Sequence, residues 1–438
     1  MQLPDYVQFC ITRLESAGFA AFAVGGCVRD ALLGLTPHDY DLCTAATPAE
    51  IAAIFADFPL IRNGEKHGTI GVILEKEVCE ITTFRTEGDY ADNRHPDWVE
   101  FVTDIAQDLA RRDFTVNAMA YHPKTGFCDP FGGENDLRNH ILRAVGNPQQ
   151  RFTEDALRIL RGVRFAVRFG LTPEPETEKA MVSLAPRLHS IAVERIFDEL
   201  CKLLPRITAA DLLRYAPILT EVIPELALCA GFDQHSIHHA YDVFTHTAHV
   251  VDGVPADLPL RWAALLHDVG KPACFTLDEQ GQGHFYGHAE KSAELADAIL
   301  RRLKAPTVLR EQVVMLVQLH MVQIPPEYKA VRRWMSRLQS THIDIEQLLA
   351  LQAADMGSKG TGKAHDTIHL HQIANLAHDI RNEFACISLR DLAVNGHDLL
   401  QLGYSGPQIG QTLQYLLNQV LDENVPNEKN ALLALLQR

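Results

Sequence analysis

The 438-residue sequence predicts an α+β fold, a mixed α/β head over residues 1–140 followed by an all-helical remainder. Two observations predict it. Short apolar runs bounded by glycine or charge, the mark of strands, crowd into the first 140 residues. From about residue 150 the apolar positions recur at helical spacing, and the one later strand candidate lies around GHFYGH, 283–288. At ~100–200 residues per domain, the length suggests two to four domains.

The head's elements follow in order. AAFAVGG (20–26) is an apolar run into a glycine pair, a strand entering a turn. CVRDALLG reads as a short helix closed by Gly34. HDYDLCTAA (38–46) alternates as a strand, and PAEIAAIFADF is a helix with Pro48 at its first position. GTIGVIL and VCEITTF, split by charged residues, form a hairpin. Beyond it, TEDALRILRGVRFAVRF (153–169), AVERIFDELCKLL (192–204) and ADLLRYAPIL (210–219) read as helices. GSKGTGKAH (357–365) is the best loop and a candidate boundary.

Composition narrows the class. Hydrophobic residues at 47% and charged residues at 22% exclude a mostly disordered chain. No run approaches the ~18 apolar residues of a membrane helix, so no membrane partner is expected. MQLPDYVQFC has neither the basic nor the apolar region of an export signal. Nine scattered cysteines without a CxxC pair argue against a disulfide framework or a cysteine zinc site, and fit a cytoplasmic location. The net charge of −16 excludes a general nucleic-acid coat, but a local patch remains. Arg138, Arg143, Arg151, Arg158, Arg161, Arg164 and Arg168 face only Glu154 and Asp155 in 31 residues, a local +5 that is either a binding surface or a solvated helix face.

Asp39 and Asp41 stand two apart on a predicted strand, so both side chains share one face. Two carboxylates on one face suit Mg²⁺, which prefers oxygen ligands and can steady a leaving pyrophosphate. The bland alternative is a polar strand edge. Gly25 and Gly26 let backbone approach phosphate, and Arg29 opens the next helix where it can pair with a triphosphate. In RRDFTVNA (111–118), Arg112 and Asn117 are placed for sugar and phosphates, or else for a structural cap. In EDALR, Asp155 accepts and Arg158 donates, as a base edge requires, or the two form an intrahelical ion pair. Arg161 and Arg164 continue the same face.

These motifs resemble the class II tRNA nucleotidyltransferases, the bacterial CCA-adding enzymes, relatives of bacterial poly(A) polymerases. GGCVRD with HDYDL, RRDFTVNAMAY, DPFGG with DL, EDALRILRGVRFAVRF and AVERIFDEL occur in family order over roughly the first 200 residues. The resemblance implies a polymerase-β-like nucleotidyltransferase head and helical neck, body and tail. It implies that Asp39 and Asp41 hold catalytic Mg²⁺, and that Gly26, Arg29 and Arg112 bind triphosphate and ribose. Asp155 and Arg158 would form the protein template that selects CTP and then ATP, with Arg161 and Arg164 completing the pocket. Glu80 is a weaker candidate for a further acid. EGDYADNRHPDWVEF (87–101) resembles the flexible loop of full CCA-adding enzymes, which CC-only relatives lack. GHDLLQLGYSGPQIG resembles the tail that holds tRNA, although a plain helix-turn-helix packing unit fits it equally.

A second constellation lies downstream. His246, His267-Asp268, His288, His320 and Asp355 fall on separate predicted helices. Mixed imidazole and carboxylate suits Mn, Fe, Co, Ni or Zn. Adjacent His267 and Asp268 can both ligate only near a helix end, and Gly270 offers flexibility there. With Gly270-Lys271 the set resembles the HD phosphohydrolase superfamily. That resemblance makes His246, His267, Asp268 and Asp355 the primary ligands. His288 and His320 would bind a second metal or a substrate phosphate, and Lys271 would neutralise phosphate; His249 receives no role. It implies phosphodiesterase or phosphatase activity, such as clearing a 2′,3′-cyclic phosphate from an RNA end.

The expected organisation is head 1–140, neck and body 141–235, HD-like domain 236–360 and tRNA-binding tail 361–438. The expected function is template-independent addition of C, C and A to the tRNA 3′ end from CTP and ATP, with recognition of the acceptor and T arms by shape. The alternatives are a poly(A), A-adding or CC-adding polymerase, or a metal-dependent phosphohydrolase with an RNA-binding head.

Overall fold

The computed structural model describes the chain except residues 76, 89–98, 237–239, 340, 361–366, 384 and 437–438. Two compact units emerge, residues 1–203 with 215–222, and residues 204–214 with 223–438.

The first unit opens with α1 (Asp5–Ser16) and then builds a seven-stranded sheet. Its strands are β1 (Ala21–Val24), β2 (Asp41–Thr44), β3 (Leu60–Ile61), β4 (Thr69–Leu74) and β5 (Glu77–Thr83). After the β6 (Arg85–Glu87) and β7 (Val99–Phe101) ribbon, β8 (Ala120–His122) and β9 (Gly126–Cys128) complete the sheet. The order is β3-β4-β5-β2-β1-β8-β9. The β4–β5 hairpin forms as the sequence pattern requires. Two short helices follow strands, α2 (Gly26–Leu32) after β1 and α3 (Pro48–Ile54) after β2. A capping box between Thr47 and Glu50, with Pro48 at the start, fixes the entry into α3. Leu42, Phe55, Ile70, Ile81 and Phe84 are fully buried, each contributing roughly 1.5–3 kcal/mol of hydrophobic stabilisation.

Register decides where chemistry can occur. Val24 pairs with Asp41 and with Ala120, and Asp41 pairs with Glu80 on the parallel neighbour. The turn at Gly25, the acids and the segment before β8 therefore gather at one end of the sheet. Helices α4 (Ile105–Ala110), α5 (Gly133–Arg138), α6 (Pro148–Glu154), α7 (Leu157–Phe169), α8 (Pro175–Leu184) and α9 (Val193–Leu203) follow, with α7 packed on α9 and α6 on α8.

The second unit holds α10 (Ala209–Arg214), while α11 (Ala216–Val222) belongs to the first. In the second unit α13 (Leu258–Leu266), which carries buried Trp262, packs against α12 (Val243–Gly253), α14 (His288–Arg302) and α15 (Thr307–Leu319). Next come α16 (Tyr328–Gln339), α17 (Ile345–Gly357), which packs on α12, and α18 (Ile368–Asn382). The last three helices, α19 (Gly396–Gln401), α20 (Pro407–Leu421) and α21 (Lys429–Leu435), share a core of Val394, Leu399, Leu416, Val420 and Leu432. Buried Arg332 ties α16 to them, donating to the Cys386 and Val420 carbonyls. Among the described residues no helix is long and apolar enough to cross a membrane.

The structure departs from the sequence pattern at four places. The strand expected over 38–46 begins at Asp41, so Asp39 precedes it. The helix expected over 153–169 breaks at Asp155, whose extended backbone (φ −141°, ψ 103°) separates α6 from α7. Aspartate competes with helical backbone, and here its Oδ1 accepts from the Leu157 N–H at 3.0 Å. The helix over 210–219 breaks near Tyr215, because Pro217 is tolerated only in a helix's first turn. The helical remainder also holds two small ribbons. Ile141–Leu142 pairs with Thr172–Pro173, and Thr276–Leu277 pairs with Gly283–His284, of which only Gly283–His284 lies in the suspected GHFYGH segment. The centre of the 87–101 loop, residues 89–98, lies outside the described residues, as do residues 361–366 of the candidate boundary.

Candidate functional site

A cleft of about 680 Å³ in the first unit is lined by Gly25, Gly26, Arg29, Asp39, Asp41, Arg112, Asn117, Asp155, Arg158, Arg161 and Arg164, all marked in the sequence for nucleotidyl transfer, while Glu80, the further candidate acid, is not part of its lining. Nine arginines and four aspartates line it in all, a positive balance that suits a triphosphate.

Asp39 and Asp41 open onto the cleft, and Glu80 stands beside Asp41 across the β2–β5 pair. Surrounding protein and then Glu80 raise the Asp41 pKa, with Arg112 opposing. Crowded carboxylates of this kind favour a divalent cation, so Asp39 and Asp41 fit Mg²⁺ by donor chemistry. Gly25 makes the turn possible. Its φ is +73°, and an added Cβ would stand 2.6 Å from Arg112 Nη1. Arg112 packs against this turn, with its Nε buried and without a partner.

The remaining side chains form a braced wall. Arg29 is buried, pairs with Asp30 and donates to Asn117 Oδ1, and lies over the Phe169 ring at 4.3 Å. Burial lowers its pKa. Asn117 Nδ2 donates to Asp113, which also takes the Arg161 guanidinium at 2.7 Å. Burial alone would raise the Asp113 carboxyl, but Arg161 and Asn117 outweigh it and hold it at about 2. Arg164 pairs with buried Glu199 of α9 at 2.6 Å. Asp155 and Arg158 are not brought together through their side chains. Arg158 donates to Glu154, to the Arg151 carbonyl and to the Arg111 carbonyl. Asp155 instead pairs with Arg195 at 2.9 Å. Because Asp155 occupies the break between helices, the shared helix face expected from its spacing does not exist.

Sequence reasoning missed Asp113, Phe165, Arg168 and Arg195 as cleft residues. Arg195 and Asp113 stood inside motifs already noticed, but only the fold reveals their partners.

In the second unit, helix ends converge on a buried centre. His246 lies on α12 and Asp355 on α17, His267 and Asp268 follow α13, His288 starts α14 and His320 follows α15. The donor atoms of His246, His267 and Asp355 lie within 4.8 Å of one another, as do those of Asp268, His288 and His320. Asp268 stands between the sets, 3.4 Å from His246 Nε2, 3.2 Å from His267 Nε2 and 3.5 Å from His288 Nε2. All four imidazoles turn Nδ1 onto a backbone carbonyl, those of Ser358, Ala264, Phe285 and Val317, leaving Nε2 inward. Carbonyls accept, so each Nδ1 donates, and in the neutral ring the inward Nε2 is the atom left to bind a metal. His320 Nε2 is buried without a partner, and burial followed by His267 pushes that ring down to about 4. This donor set fits a transition metal. Lys271 pairs with Asp268 at 2.7 Å and donates to Gln234. Gly270 does not supply flexibility here, since its φ is ordinary. It allows close approach, for an added Cβ would lie 2.6 Å from the Ser292 backbone nitrogen.

The mixed sheet with its acids at one end and its arginine-lined cleft define a nucleotidyltransferase. Residues 21–143 match the poly A polymerase head domain, 170–229 the probable RNA- and SrmB-binding site of polymerase A, and 284–436 the tRNA nucleotidyltransferase domain 2. A CCA-adding enzyme of Levilactobacillus brevis is 35% identical over 96% of this chain and 94% of its own. That of Geobacillus thermodenitrificans is 32% identical over 97% and 94%. The solved Bacillus stearothermophilus CCA-adding enzyme in complex with CTP is 29% identical, with a TM-score of 0.70 over 100% of this chain and 98% of its own. The chain belongs to the CCA-adding enzyme family.

Proposed function

We propose that this nucleotidyltransferase adds C, C and A to the 3′ end of tRNA, using CTP and ATP and releasing pyrophosphate. The observation that carries it is the placement of Asp39 and Asp41 on the arginine-lined cleft, in a chain related over nearly its whole length to CCA-adding enzymes. The tRNA 3′ hydroxyl attacks the α-phosphate, and the bond to the β-phosphate breaks. Mg²⁺ held by Asp39 and Asp41 would acidify that hydroxyl and neutralise the pyrophosphate. Arg112, at the Gly25 turn, takes phosphate charge, while Arg29, Asn117 and the Asp113–Arg161 pair keep the floor in shape. Asp155 accepts from the exocyclic amino group of cytosine or adenine, and Arg158 joins it on leaving Glu154. The helices from 141 to 235, with the tail from 361 to 438, hold the acceptor and T arms, and the enzyme works in the cytoplasm.

Primer extension tests this reading. A tRNA ending before CCA should gain two residues with CTP alone and a third with ATP, and none with Asp39→Ala. A halt at CC, or a long A tail, would make it a CC-adding enzyme or a poly(A) polymerase.

The second centre supports an additional reading, favoured by the four inward-turned imidazoles. His246, His267, Asp268 and Asp355 would hold one of Mn, Fe, Co, Ni or Zn, with His288 and His320 beside a second ion or a phosphate. When bound, such a metal would acidify a water toward neutrality. Lys271 steadies phosphate charge. The reaction is hydrolysis of a phosphate ester, for which a 2′,3′-cyclic phosphate at an RNA end is the probe.

A further inference from the structure

Asp155 is held from two sides. Its Oδ1 takes the Leu157 backbone N–H at 3.0 Å, which ties it to the start of α7. Its Oδ2 takes Arg195 Nη2 at 2.9 Å, from α9, forty residues away. Arg195 lines the same cleft, and its Nη1 is buried without a partner. One helical turn further along α9, Glu199 forms a buried pair with Arg164 of α7. The guanidinium is therefore mounted on a helix already fastened to the one Asp155 introduces. Arg158, in the same motif as Asp155, sends its donors elsewhere.

We propose that Arg195 is a positioning residue for base selection: it fixes the direction of the Asp155 carboxylate and so restricts the cleft to bases with an exocyclic amino group. The inference rests on the reading of Asp155 as the base-recognising carboxylate. Cytosine N4 and adenine N6 are donors, whereas uracil O4 and guanine O6 are acceptors. A fixed carboxylate oxygen accepts from the first two and repels the other two. A carboxylate free to rotate can turn away from a carbonyl, or toward the ring N–H that uracil and guanine carry, and the discrimination falls. Restraint from both oxygens is what holds one orientation, because an aspartate on an extended backbone otherwise samples several rotamers.

The test is kcat/KM for CTP, ATP, UTP and GTP on a tRNA lacking CCA, measured for Arg195→Ala, Arg195→Lys, Asp155→Asn and the Arg195→Ala/Asp155→Asn double variant. Arg195→Ala should lose about tenfold or more of the preference for CTP and ATP over UTP and GTP. Arg195→Lys, which keeps charge and one donor, should recover part of it. The double variant should be no less selective than Asp155→Asn alone, since residues acting through one another are non-additive. If Asp155→Asn loses selectivity and both Arg195 variants keep it, the inference is overturned and the reading of Asp155 stands. If Asp155→Asn keeps selectivity, that reading fails and takes the inference with it. Additive losses in the double variant would also overturn it, assigning Arg195 an independent role. Thermal melting of each variant separates loss of fold, because a merely structural arginine would lower stability and all four rates together.

Discussion

The Nε2 atoms of His246 and His267 face each other at 3.4 Å, while both Nδ1 atoms are committed to carbonyls behind them. With Asp355 beside them, these two nitrogens form a donor set that would suit a transition metal. His267→Ala should therefore purify with far less transition metal than the unaltered protein, by elemental analysis, and still extend tRNA. Full stoichiometric metal in the variant would refute the ligand assignment.

Gly270→Ala should damage the same centre without touching a ligand. The new methyl meets the Ser292 backbone 2.6 Å away, so α14 must shift and His288 with it. Overpacking of this kind costs about 1–3 kcal/mol. The expected outcome is a lower melting temperature and reduced metal content, with CTP addition retained. Unchanged metal content and melting would show that the helix ends are not held as closely as the geometry requires.

Gly25→Ala should act on the transferase cleft alone. A residue with a Cβ at φ +73° costs on the order of 1–3 kcal/mol, and this Cβ also strikes Arg112. The KM for CTP and ATP should rise and kcat fall, while tRNA binding measured without nucleotide stays level. Normal kinetics would remove Gly25 and Arg112 from the phosphate site.

Acid should weaken the first unit through Asp113. Its carboxyl sits at about 2 in the folded chain, below the ~3.9 of an unfolded aspartate. The folded state therefore binds fewer protons. The pair with Arg161 contributes fully above pH ~4, and its contribution is lost as pH falls toward 2, on the order of 2 kcal/mol. Urea midpoints between pH 5 and 2.5 should fall less steeply for Asp113→Asn than for the unaltered protein. Parallel slopes would assign the acid sensitivity elsewhere.

The two centres differ in how much of them the sequence discloses. Asp41 and Gly25 are visible because a strand and a glycine turn are local properties, Asp39 reaches the cleft from just before the strand rather than by alternation along it, and the β2–β5 register sets Glu80, already a candidate, beside Asp41. The residues of the second centre are visible by type, although only packing shows that Gly270 serves proximity. The Asp155 break is hidden, because the apolar rhythm of 153–169 runs through it and a local side-chain bond to the Leu157 N–H outcompetes that rhythm at one residue. The Asp155–Arg195 and Arg161–Asp113 pairs span tens of residues, and no periodicity links them. Arg158 had two carboxylate neighbours at hand, and the helix gave it Glu154, four residues back.

The four carbonyl clamps on the Nδ1 atoms have a further consequence. Each ring is aimed by the backbone behind it, so a substitution that moves one of those carbonyls would turn a ring away without altering any donor, and the centre depends on its surrounding helices as much as on its own side chains.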